Sequence, residues 1–441
     1  MCCRVFHFLL AALVLLGADG EAQNARDSAA SVGPAPVVTG IAIFGNKTTK
    51  SDIIMREMTL HAGDRVTAEA LQYCQERVYS LGLFNRVSIT CPPDDSTMLL
   101  VEVDERWYLY PVPLVGTVER DIAHWYYGLG VKHENLGGWN EKLFAGFVLG
   151  YNPWVSLYYA DPWIFGSEQL YFESSVSYQK SVNKSLLSQI DGSNFTESRY
   201  GISGVLGKRF TMFQSVWVEG GFTVLEAPGA PPGHTISERG TDRYVSLGIG
   251  TRYDTRNLRE YPTDGSYASA AVRKKGLVTG RVDFTQVSLD VRRYQPLASR
   301  LSIAARGFFV VCVGPLIPNY EHQFFGFGER IRGHFEEELE GENNAGASVE
   351  LRYAIVPTFY LRVPGVPIRE FATWKLGAYG AVFADAGTVW NRQARPGSDG
   401  LPRGGGVGLH LLFPYGAVLR IDRAWNEHGA GEWIFDIGTA F

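Results

Sequence analysis

The sequence predicts a mainly β protein: a sixteen-stranded antiparallel transmembrane β-barrel preceded by one small α+β domain. Three observations predict it. The chain of 441 residues carries 50 glycines and 13% aromatics at a mean hydropathy near neutral, the composition of strands whose two faces meet different solvents. Beyond residue 107 apolar and polar residues alternate with a period of two, stretch after stretch, and no helical period intervenes. Between residues 37 and 106 the pattern is instead β-α-α-β-β.

The N-terminus has the layout of a secretory signal over residues 1–22. Arg4 supplies the positive charge, Phe8 to Gly17 the apolar core, and Gly20-Glu21-Ala22 a small-x-small cleavage site. Ten apolar residues fall short of the ~30 Å of hydrocarbon that an anchor must cross. Cys2 and Cys3 precede the apolar core and leave with it. Residues 23–36 are small, polar and Pro-containing, a linker. A secreted protein's thiols can oxidise, so Cys74 and Cys91 are either a bridge or two buried thiols, while Cys312 stands alone in a strand.

In the small domain Val38, Ile41 and Ile43 mark a first strand, Ser51 a helix cap before Ile53, Ile54 and Met58. Thr67 caps a second helix with Leu71, Cys74, Val78 and Leu81 on one stripe. Phe84, Val87 and Ile89 open the second strand and MLLVEVDE forms the third. This order, with IFGNKTTKSDIIMRE, GDRVT and SLGLFNRVSI running into VEVDE, resembles a POTRA domain. The resemblance implies a periplasmic module that binds extended segments by adding a strand at a sheet edge.

From Trp107 the alternating stretches number about sixteen, the first at 107–120 and the last at 432–441. An even number suits a closed single-chain barrel. In RYVSLGIGTRYDTR, Val245, Leu247, Ile249 and Tyr253 share one face, while Ser246, Arg252, Asp254 and Arg256 share the other. A soluble barrel would bury apolar side chains inside; charges on one face of strand after strand argue for lipid outside and a polar lumen. The long connections, 181–197, 228–242, 315–344 and 391–402, fall on one side, where outer loops belong if the small domain is periplasmic. A long connection at 358–373 falls on the other side and breaks the pattern. The chain closes with Trp433, Phe435 and Ile437 on one face and Phe441 at its end, which resembles the terminal aromatic strand by which barrels are recognised for insertion.

No catalytic constellation is visible: GxSxG, Walker and HExxH sequences are all missing, and nothing in the spacing of Cys and His suggests a metal or cofactor. A net charge of -5 gives no reason to expect nucleic acid. The acidic run FEEELEGEN reads as a solvated outer segment.

Five motifs in order resemble the BamA/TamA superfamily of outer-membrane assembly and translocation barrels, the bacterial surface antigen type. They are YDTRNLREYPTDGSY, FGFGERIRGHF, ASVELRYAI, AVFADAGTVW and FPYGAVLRIDRAW. The resemblance implies that the sixth outer loop, carrying Ile331, Arg332, Gly333 and Phe335, folds into the lumen. Arg332 would then pair with Glu350 and Asp385 of the twelfth and thirteenth strands. Parity independently places Glu350 on a polar face with Ser348 and Arg352. The family's aromatic after Arg-Gly is here His334, with Phe335 one step later, and only one POTRA-like domain is present where assembly factors usually carry several.

The implied function is insertion or translocation of client proteins at the outer membrane, through POTRA capture and a seam between the first and last strands. Pro111 and Pro113 in the first strand cannot donate ladder hydrogen bonds and so either weaken that seam or mark the domain junction. The partners expected are client outer-membrane or secreted proteins, the lipid bilayer and accessory periplasmic proteins. A protein-secretion pore and a structural or solute-conducting barrel are the competing readings.

Overall fold

The computed structural model describes residues 36–118, 122–164, 169–189, 194–277, 281–366, 369–397, 400–439 and 441. The signal segment and all of the linker except residue 36 lie outside the described residues.

The small domain folds as its periodicity dictates. Gly40–Phe44, Phe84–Thr90 and Met98–Glu105 form a three-stranded sheet with the last of them in the centre. The helix Ala68–Tyr79 starts at Thr67, whose hydroxyl accepts the Ala70 N–H at 3.1 Å. The first helix, Ser51–Met55, is shorter than its apolar spacing predicts. Ser51 is its first residue rather than its cap: the extended cap position falls on Lys50, and the Ser51 hydroxyl accepts the Asn46 amide at 3.1 Å. Ile53, Ile54, Met58, Val78, Leu83 and Leu99 fill the core between helices and sheet. Cys74, Cys91 and Cys312 are free thiols, so no bridge joins the first two.

The rest of the chain is a sixteen-stranded antiparallel sheet whose strands lie in sequence order from Leu109–Thr117 to Gly431–Ile437. Ordinals below refer to these strands. No helix among the described residues is long and apolar enough to cross a membrane; the crossing elements are strands. On the eighth strand, Thr241–Asp254, Leu247, Ile249 and Tyr253 are exposed outward, while Gly248, Gly250 and Asp254 are buried toward the lumen. The strand period thus sorts hydrocarbon from water, and lumenal charges pair across strands: Arg306 reaches Asp290 at 2.8 Å and Arg273 pairs with Glu219.

Both end strands are shorter than their alternation predicts. At the C-terminal end Gly438, with φ 114°, turns the chain inward and its N–H bonds Val418 O at 2.7 Å. Phe441 therefore leaves the lipid-facing row of Trp433, Phe435 and Ile437. It is buried in the lumen beside Tyr294, whose hydroxyl donates to Phe441 O at 3.3 Å.

The long connection at 358–373 has a structural reason. The twelfth strand, Asn343–Arg362, and the thirteenth, Thr373–Trp390, stay paired down to Arg362 and Thr373, beyond a register shift near Val356. This extended hairpin reaches the small domain: Thr373 Oγ1 donates to Asp104 at 3.0 Å, and the Asn85 amide bonds Glu370 O. The small domain sits across one mouth of the curled sheet and touches other turns as well. Asn135 bonds Thr49 at 3.0 Å, Tyr73 donates to Thr255 O at 3.0 Å, and Ser80 to Asn257 O at 3.2 Å. At the centre of the contact Arg77, 1% exposed, pairs with Glu57 at 2.9 Å, and Arg209 of the rim approaches the same carboxylate at 3.4 Å. Glu57→Ala leaves the Arg77 charge buried without its carboxylate, a defect of about 3 kcal/mol. The expected result is at least tenfold faster proteolysis of the small domain in the intact protein at 37 °C, read by gel; an unchanged rate would show that the ion pair does not seat the domain.

Candidate functional site

The sixth outer loop, between Val313 and Asn343, folds back into the barrel, and its turns are made by Gly326 at φ 99° and Gly333 at φ 105°. Ile331 and Phe325 lie against Gly387 of the thirteenth strand, where a Cβ would stand 2.9 Å and 2.5 Å from them. The Arg332 carbonyl would be 2.0 Å from a Cβ on Gly404, so the loop rests directly on the fourteenth strand, Arg403–Leu412.

This seating places the Arg332 guanidinium, 3% exposed, among three carboxylates. Its Nε and Nη2 donate to Asp385 at 2.7 and 2.9 Å, a two-pronged fit, and Nη1 donates to Glu350 at 2.7 Å. Nη1 also stands 3.7 Å from Asp422 of the fifteenth strand, and the plane lies 3.5 Å over the Phe383 ring. Phe335 packs with Phe383, Ala424 and Ile434. The displaced aromatic thus still finds a lumenal pocket, while His334 turns to Glu427 and Glu337.

The cluster is larger than the motif suggests. Arg352 donates to the far oxygen of Glu350 at 2.6 Å and to Pro262 O at 2.9 Å. His410 shares a hydrogen bond with Tyr261 at 2.9 Å and lies 3.4 Å from Asp422. Arg420 reaches Asp422 at 3.1 Å and Asp436 at 2.6 Å. The family motif pointed to Arg332, Glu350 and Asp385 but not to Asp422, Arg420 or His410. Strand parity held the signal, since Arg420 and Asp422 share one face of VLRIDRAW. The acidic run is corrected in its second half: Glu336 and Glu337 are exposed as expected, but the Glu340 side chain is covered and Glu342 is buried. Glu340 accepts Ser185 at 2.6 Å and His322 at 2.8 Å, and Glu342 holds Arg392 at 2.9 Å. His322 belongs to the same loop, and Ser185 and Arg392 come from neighbouring outer loops against which it packs.

The second feature is the seam. Among the described residues no ladder joins Leu109–Thr117 to Gly431–Ile437, so the sheet curls as a barrel without closing. Register explains part of this. In the first hairpin Glu134 N–H bonds Tyr108 O and Val118 N–H bonds His124 O, each at 2.9 Å. The hydrogen-bonded pairs therefore fall on even residues of the first strand, and odd residues aim their backbone groups at the seam. Pro111 and Pro113 are odd. Two of the seam's donors are missing by chemistry.

The Omp85 superfamily domain matches residues 135–441, and the surface antigen variable number repeat, POTRA, matches residues 36–106. The chain belongs to the Omp85 superfamily. Three solved structures share the fold of this Omp85 barrel. BamA from Haemophilus ducreyi lacking POTRA domains 1–3 gives a TM-score of 0.53 at 19% identity, covering 93% of this chain and 85% of that one. CdiB from Escherichia coli gives 0.53 at 11%, with 93% and 90% covered. CdiB from Acinetobacter baumannii gives 0.51 at 14%, with 91% and 73% covered. As an Omp85 protein with a POTRA domain, it resides in the outer membrane with that domain in the periplasm, and its family-level activity is protein insertion or translocation there.

Proposed function

We propose that this protein inserts client β-barrels into the outer membrane through the seam between its first and last strands, with no catalytic chemistry, cofactor or nucleotide. The observation that carries the reading is an unpaired edge bearing Pro111 and Pro113, facing the membrane in a sheet otherwise complete. An open edge in lipid leaves backbone groups unsatisfied at several kcal/mol each, and an incoming strand removes that cost. Client segments are first held by the small domain. Of its two sheet edges, Phe84–Thr90 faces the rim, where Asn85 is bonded to Glu370, and Ile89 N–H is capped by Gln75 at 3.1 Å. Gly40–Phe44 is the other edge, with Phe44 exposed at its end. Accessory periplasmic proteins would dock on the same domain.

A pore that secretes protein or conducts solute through the lumen is the weaker reading. Such a pore needs a continuous passage, and here the Arg332 loop lies across the lumen with the small domain over the mouth.

A disulfide engineered between the first and last strands, with Cys74, Cys91 and Cys312 replaced by serine, tests the reading. Oxidised protein in vesicles should insert a client barrel at least tenfold more slowly, and reductant should restore the rate. Full activity in the cross-linked state would exclude lateral insertion.

A further inference from the structure

Among the described residues the last strand has a ladder on one side only, to Val418–Asn426. An edge so placed frays unless something else holds it. The sixth loop supplies the hold. Glu432 faces the lumen from the last strand, and one of its oxygens accepts two loop N–H groups, Gly333 at 2.7 Å and Phe335 at 3.1 Å. The Phe335 ring packs on Ile434 of the same strand. Between the two donors sits His334, with its side chain 8% exposed. Its Nε2 is bonded to Glu427 at 2.7 Å, in the turn that joins the fifteenth and sixteenth strands, and its Nδ1 is bonded to Glu337. Three consecutive residues after Arg332 therefore grip one hairpin, and that hairpin is one lip of the seam.

We propose that Glu432 and His334 are positioning residues of the seam: they brace its outgoing lip against the sixth loop, and His334 makes the brace loosen as pH rises. Its use in insertion rests on the reading above; the brace itself does not.

The chemistry is that of two acceptors sharing one ring. Neutral imidazole has a single N–H and can donate to Glu337 or to Glu427, not both, whereas imidazolium donates to both. Burial depresses the ring's pKa, but Glu427 and Glu337 outweigh it and hold the value above the ordinary one. Glu427 is in turn held down at about 2, first by its bond to His334. The other charged or titratable groups on these elements are Arg330, Arg332, Glu336 and Glu338 on the loop and His428 in the turn, 3.7 Å from Glu427. Glu432 lies on the last strand, and Arg403, whose N–H reaches Glu427 at 3.3 Å, opens the fourteenth. A raised histidine pKa means that the hold is fully present below about 6.5, the ordinary value, and is lost as pH climbs through the raised one.

The test is hydrogen exchange by mass spectrometry on the full chain in vesicles, without client, corrected for the intrinsic pH dependence of exchange. Protection of residues 431–437 relative to 345–355 should fall about tenfold between pH 6 and pH 9. His334→Phe, which keeps a ring but no proton, should make protection independent of pH. Glu432→Leu should lose about tenfold at both pH values, and Glu432→Gln, whose amide oxygen still accepts, should restore most of it. The same pH profile in His334→Phe, or a loss in Glu432→Leu that spreads equally to 345–355, would overturn the proposal. If Glu432→Leu does not fold, the comparison of wild type with His334→Phe and the level of Glu432→Gln still decide it. Because no client is present, a negative result here leaves the insertion reading standing, and the reverse holds as well.

Discussion

Arg332→Ala is expected to strip the barrel of its resistance to heat. The side chain is 3% exposed and serves Asp385 with two bonds and Glu350 with one, while Asp422 stands 3.7 Å away. Removing it leaves the Asp385 carboxylate buried without a side-chain partner. Arg352 and Arg420 already serve Glu350 and Asp422, but nothing replaces the two-pronged bond to Asp385. Breaking a buried ion pair by deleting one partner costs about 3–5 kcal/mol. The loop also loses its anchor, so the brace on the last strand goes with it. On cold gels the folded band should convert to the unfolded one at a temperature lower by roughly 10 °C or more. Arg332→Lys keeps the charge but not the fork and should fall between. Adding Asp385→Asn to Arg332→Ala should recover part of the loss, because the stranded charge is gone, whereas Glu350 must keep its charge for Arg352. If Arg332→Ala melts like the wild type, the loop is not clasped in the lumen.

The second large effect is expected from restoring the missing donors. Pro111→Thr with Pro113→Thr returns two N–H groups that the register of the first hairpin aims at the seam. Thr is a good strand residue, and the second strand's ladder is untouched because its bonds fall on even positions. Two new bonds at about 1 kcal/mol each come to roughly 2 kcal/mol, or about 30-fold in the equilibrium between open and paired seam. Insertion of a client into vesicles should slow by about that factor while the heat resistance of the barrel rises. Insertion at the normal rate, with unchanged stability, would show that the prolines only mark the junction between domain and barrel.

Several features were legible from residues alone for simple reasons. Alternation at period two is a local property, so sixteen strands, their lipid and lumen faces, and the parity of Glu350 with Arg352 followed from neighbours two apart. The Thr67 cap and the apolar stripe through Cys74 and Val78 are equally local. His334 and Phe335 were read as a departure from the family's aromatic order; the packing that absorbs it, Phe335 on Phe383 and Ile434, depends on strands far along the chain. The extent of the 358–373 hairpin was not legible either, because its pairing is stabilised by contact with Asp104 and Asn85 of the other domain.

The sequence by itself determined which elements form and which side of each meets lipid, since both depend on propensity and periodicity over a few residues. It also put Pro111 and Pro113 where no donor can exist. Only the tertiary structure decided that those prolines face the seam, that Phe441 turns into the lumen, and that Glu432 catches a loop 99 residues away in sequence. Each of those outcomes is a competition between long-range partners for the same backbone groups or charges. Such a competition is settled by where the strands sit once the barrel has curled, and local pattern carries no information about that.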